Sequence, residues 1–113
     1  MSDPDPVTEP LLEARARVLH DLAATGVAEA CYVDVLEDAV AQRRWWLQQW
    51  PQGERFVVGL VAQDVQDRLI DSEGRWPPCR LHASEAMSVE PELGPDPHWV
   101  CARCGSVAPV GAL

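Results

Sequence analysis

Beyond Gly74 the chain loses every sign of helical periodicity, and prolines arrive at positions 77, 78, 91, 95, 97 and 109. A stretch of about 40 residues cannot usually bury enough apolar surface to hold a fold alone, and needs a metal, disulfides or a partner. Within this stretch lie two close pairs of strong donors, Cys79-Arg80-Leu81-His82 and Cys101-Ala102-Arg103-Cys104, separated by 18 residues. A two-residue gap lets one tight turn aim both side chains at a single ion about 2.0 to 2.3 Å away, and two such turns facing each other complete a tetrahedron. Cys79, His82, Cys101 and Cys104 are therefore the expected ligands of a structural Zn²⁺. Gly105 follows the second pair, where a knuckle turn calls for the positive φ that glycine adopts freely. Trp99 and Val100 before the pair, and Val107 and Val110 after it, fit short strands of a zinc-ribbon-like module.

Other uses of the same residues are open to the sequence. Cys101 and Cys104 match the spacing of a redox dithiol, but such a pair opens a helix in a βαβ setting, whereas Pro and Gly surround this one. A disulfide framework calls for an oxidising compartment, and the start MSDPDPVTEP is acidic and proline-rich where a secretory signal is basic and then apolar. The cytoplasm is the expected compartment. His98, three residues before Cys101, is an alternative fourth ligand in place of His82. Cys31, in a helical region, reads as a small apolar core residue. Trp76 and Trp99 flank the two ligand pairs at nearly mirrored offsets, which suits a cover over the knuckles.

The first two thirds read differently. Residues 1–7 have little to bury and are expected to form a disordered arm. Thr8 suits an N-cap, with Glu9 and Pro10 in the first turn of a helix over about 9–24 that Gly26 stops. Leu12, Ala16, Leu19 and Ala23 give that helix an apolar stripe, leaving Glu13, Arg17, His20 and Asp21 for other faces. A second helix over about 28–49 carries Tyr32, Val35, Leu36, Ala39, Val40, Trp46, Leu47 and Trp50 at three-and-four spacing, and Pro51 with Gly53 ends it. Residues 56–61, FVVGLV, suit a strand or a helix; their continuation through Val65 and Leu69, with a polar face of Gln63, Asp64, Gln66, Asp67 and Arg68, favours a helix over about 54–71. The expected class is α+β, mostly α: a helical region over 8–73 and a zinc-ribbon-like module over 74–113.

The run Trp76-Pro77-Pro78-Cys79-Arg80-Leu81-His82, followed by His98-Trp99-Val100-Cys101 and the tail from Val107 to Leu113, resembles a recurring small protein of high-GC actinobacteria and their phages. That type pairs an acidic helical region with a WPxCxxH segment and a tail ending in a VAPVGxL-like run. The resemblance covers the C-terminal motifs and implies no established activity. Its second donor pair is often degraded, whereas both Cys101 and Cys104 are present here.

Charge limits the partners. Nine basic residues, all arginine, stand against 18 acidic ones, for a net charge of −9. Nucleic-acid affinity comes largely from neutralising phosphates, so direct binding is disfavoured. Four strong donors fill a zinc shell and leave no open position for water, and no Ser/His/Asp arrangement, phosphate loop or HExxH helix is present, so an enzyme is not expected. Glu85 and Asp96 read as solvated acids rather than bases. Adjacent indoles at Trp45 and Trp46 cannot share one helix face; these indoles are expected to cover the zinc module or another helix, and the other reading is an exposed one beside Arg43 and Arg44 as a contact surface. The first expectation is a small cytoplasmic zinc-stabilised adaptor or regulatory protein acting through protein contacts, with a homodimer compatible with such a surface. The alternative is a transcription-associated zinc ribbon contacting nucleic acid or RNA polymerase through Arg80 and Arg103.

Overall fold

The computed structural model describes residues 7–74 and 76–113, and all of the arm expected over residues 1–7 except Val7 lies outside them. Three helices, α1 (Thr8–Ala24), α2 (Ala30–Gln49) and α3 (Val57–Leu69), are followed by strands β1 (Ser88–Glu90), β2 (His98–Cys101) and β3 (Gly105–Pro109). The strands form one antiparallel sheet in the order β1-β2-β3. The mostly helical α+β class read from the sequence is the class observed.

Each helix ends for a local reason. At the end of α1, the Val27 N–H bonds the Leu22 carbonyl at 2.9 Å and the Gly26 N–H bonds that of Ala23 at 3.0 Å, with Gly26 at φ +77°. This is the six-to-one and five-to-two pattern that satisfies a helix's last carbonyls, and it needs the left-handed residue that glycine supplies. α2 stops at Trp50 because Pro51 starts a 3-10 turn, Pro51–Phe56, which leads directly into α3. The FVVGLV segment is thus helical from Val57 on, and of the apolar stripe expected for this helix, Val58, Val61, Ala62, Val65 and Leu69, all but the partly buried Val58 are buried.

The start of the chain and the phase of α1 differ from expectation. Thr8 is the first helical residue and caps nothing with its side chain; Val7 precedes it and is buried, so order begins at least one residue earlier than residue 8. The buried face of α1 is Leu11, Ala14, Val18, Asp21 and Leu22, so the stripe Leu12, Ala16, Leu19, Ala23 lies on a different face, with Leu12 58% exposed. α1 carries two apolar stripes, and periodicity alone does not say which one the other helices and the sheet will cover.

Asp21 explains the outcome. A carboxylate in the last turn of a helix faces the negative end of the helix dipole, and burial adds a desolvation cost. Here three donors from the C-terminal segment meet it: the Trp99 indole N–H at 2.7 Å and the Gly111 N–H at 2.7 Å on Oδ2, and the Leu113 N–H at 3.0 Å on Oδ1. One turn on, the Thr25 hydroxyl oxygen accepts the Trp76 indole N–H at 2.9 Å and donates its own hydrogen to the Asp21 carbonyl at 2.8 Å. Trp76 and Trp99 meet edge to face at 5.4 Å, so two tryptophans plug the sheet module into the end of α1. The core is continuous from Leu11 and Val65 through Trp76, Met87 and Val89 to Val110. On the α3 side, the Gln66 amide bonds the main-chain oxygens of Trp76, at 3.0 Å, and Met87.

Asp21→Ala is expected to cost on the order of 4 kcal/mol, because it leaves the three N–H groups without an acceptor in a dry site. Urea unfolding reads this directly, and a loss under 1 kcal/mol would show that the clamp is not needed. Gly111→Ala tests the same joint: Gly111 has φ +100°, and an added Cβ would sit 2.7 Å from the Arg17 Cβ. The expected loss is about 2 to 4 kcal/mol from backbone strain and overpacking together.

Candidate metal centre

Two turns bring the four donors together. The first is the tip of a hairpin-like loop, where Pro78 bridges to Ala86, the Cys79 N–H bonds the Glu85 carbonyl at 3.1 Å, and the Glu85 N–H bonds the His82 carbonyl at 2.8 Å. The second joins β2 to β3: Cys101 pairs with Gly105, which takes the positive φ, +85°, expected of it. β1, which sequence patterning missed, is a strand of only three residues, too short for an alternation to register. Val107 falls within β3, while Val110 lies just past it and is buried.

One ligand atom from each of Cys79, His82, Cys101 and Cys104 lies within 4.8 Å of all the others. Sγ of Cys79 and Sγ of Cys104 are 3.5 Å apart, and His82 Nδ1 is 3.7 Å from Cys79 Sγ and 3.6 Å from Cys101 Sγ. A tetrahedral ion with sulfur at about 2.3 Å and nitrogen at about 2.0 Å spaces its ligands roughly 3.5 to 3.8 Å apart, so these three edges fit one. A sulfur–sulfur bond is about 2.05 Å, so the Cys79 and Cys104 contact is between thiols. All four cysteines are free. Cys79 and Cys101 are buried, His82 is half-buried and Cys104 is exposed.

His98 has no part in the cluster. It alternates along β2 with Trp99 and Cys101 and so points to the other face, where its Nδ1 lies 2.8 Å from the Asp96 carbonyl oxygen. Glu85 pairs with Arg103 at 3.3 Å. Cys31 is exposed, not a core residue, because it sits on the outer side of α2's first turn.

The electrostatics favour a cation. The backbone N–H of Cys104 and then that of Arg103, 3.4 Å from Cys101 Sγ, stabilise the Cys101 thiolate and bring its pKa down to about 6. The Cys104 thiol is held up at about 11, first by its contact with the Cys79 sulfur and then by desolvation. Without an ion the cluster thus ionises at one sulfur and resists ionising at another, because adjacent thiolates repel. A divalent cation removes that repulsion and satisfies all four donors at once.

These features define a class: a small α+β domain in which a three-helix layer carries a three-stranded ribbon with a Cys₃His cluster. The chain belongs to a family described as a domain of unknown function (DUF8819), whose profile matches residues 7–110. No curated protein and no solved structure matches it.

Metal affinity is expected to fall on acidification. Protons compete with the ion at each donor, and below pH about 6 they do so even at Cys101, the thiol most easily ionised. Titration of zinc-loaded protein with a chromogenic chelator should show affinity falling progressively as pH is lowered, and an affinity independent of pH would argue against thiolate ligation.

Proposed function

We propose that the chain is a small cytoplasmic zinc-stabilised adaptor or regulatory protein that works through protein–protein contacts. The observation that carries the metal half of this reading is the set of three sulfurs and one imidazole nitrogen within 4.8 Å of one another, with three of their contacts at the spacing of a tetrahedral shell. Four protein donors complete the shell, which supports an ion that holds structure rather than one that activates water.

The contact half rests on the far end of the bundle. Trp45 is 66% exposed, whereas its neighbour Trp46 turns inward, stacks edge to face on Trp50 at 5.3 Å and lies under the Arg43 guanidinium at 5.4 Å. Arg43 is itself held by Asp64 at 2.6 Å, and Trp50 rests 5.8 Å from Phe56. Exposed Trp45 is the kind of side chain whose burial dominates protein interfaces. It sits beside the start of α1, since Arg44 reaches Thr8 at 3.5 Å, while the metal cluster is near the end of that helix. With a rise of 1.5 Å per residue, the two regions are separated by roughly 24 Å, so the ion supports the domain without entering the contact.

The nucleic-acid alternative gains no support. Arg80 is bonded to the main-chain oxygen of Leu113 at 2.7 Å and Arg103 to Glu85, so both arginines are engaged within the chain. Among the described residues, no helix is long and apolar enough to cross a membrane.

Protein purified without chelator is expected to contain one zinc per chain by elemental analysis, and to lose the folded segment 76–113 when a strong chelator removes it. Cys101→Ser should reproduce that loss, read as collapse of the Trp76 and Trp99 near-UV signal. Metal-free protein with unchanged melting temperature would overturn the reading.

A further inference from the structure

α1 is amphipathic twice over. Its inner face fills the core, while Leu12, Ala16, Leu19 and Ala23 run along a second face on which Leu12, Ala16 and Ala23 are exposed and Leu19 only partly covered. Their spacing is four, three, four, the interval of a two-helix seam, with large and small residues in strict alternation. α2 borders this face: Arg15 pairs with Glu37 at 2.5 Å and Arg44 with Thr8 at 3.5 Å, which sets exposed Ala41 and Trp45 alongside the seam.

We propose that this face joins two copies of the chain as an antiparallel homodimer, helix α1 against helix α1. The alternation selects the occupant. When a second copy of α1 is turned about a two-fold axis passing between Arg17 and Val18, Leu12 meets Ala23 of the other copy and Ala16 meets Leu19. Every layer then pairs a large residue with a small one, so the helices approach evenly at the usual 8 to 10 Å. A parallel pair would stack leucine on leucine and leave gaps at alanine. The flanks select the same arrangement: exposed Glu13, which Arg17 holds at 2.8 Å, comes beside exposed His20 of the other copy, whereas in a parallel pair the two lie on opposite sides of the seam and do not meet. One helix pair with Trp45 at its border is a small contact beside the roughly 1,200 Å² that a standard interface buries, so a weak, reversible dimer is expected. The inference goes beyond the adaptor reading and does not depend on the identity of the metal.

Sedimentation of the full chain with its metal, from about 1 to 300 µM, should show a reversible monomer–dimer equilibrium. Ala16→Glu, at an exposed position, should weaken it on the order of 30-fold with the circular dichroism spectrum and melting temperature unchanged. Glu13→Arg should weaken it as well, and Glu13→Arg with His20→Glu should restore it, as only the antiparallel pairing allows. A monomer throughout the range, a dimer indifferent to Ala16→Glu, or a double variant no tighter than Glu13→Arg would each overturn the proposal.

Discussion

The buried carboxylate of Asp21 is the joint on which the two parts of this chain meet. It stands at the wrong end of its helix for the dipole and out of reach of water, two costs that a local sequence rule would reject. Three N–H groups, from Trp99, Gly111 and Leu113, offset them. Because the donors come from residues 78 to 92 positions away in sequence, the acid is satisfied only when the ribbon is docked. The tail in turn has somewhere to bury Trp99 and Val110 only because α1 presents that acceptor.

The metal cluster and the Asp21 clamp divide the task of ordering a proline-rich segment. Hydrogen bonds to Asp21, Thr25 and Gln66 fix where the ribbon sits on the helices. Between the two turns themselves run the Glu85–Arg103 ion pair at 3.3 Å and the contacts among the sulfurs and the imidazole. An ion at that point would supply a further cross-link. The Arg103 and Cys104 backbone N–H groups aimed at Cys101 stabilise the charged sulfur such an ion requires.

Much of this was legible because it rests on short-range chemistry. The two donor pairs, the turn at Gly105, the stop at Gly26 and the helical continuation of FVVGLV each follow from residues within one turn of each other. What the sequence hid is what depends on distant partners. The stripe of Leu12, Ala16, Leu19 and Ala23 has as good a helical period as Leu11, Ala14, Val18 and Leu22, and only the arrival of α3 and the tail decides between them. Asp21 reads as a surface acid until the donors 78 residues and more downstream are in place. β1 is invisible in sequence because three residues carry no alternation. The spare stripe on α1 is a remainder of the same ambiguity, and a second copy of the helix is what it fits.

Zinc K-edge X-ray absorption on the protein as purified would read the ion's ligands one by one. The account predicts a four-coordinate ion with three sulfurs at about 2.3 Å and one nitrogen at about 2.0 Å, and no oxygen. A shell dominated by oxygen or nitrogen, or fewer than three sulfurs, would contradict it.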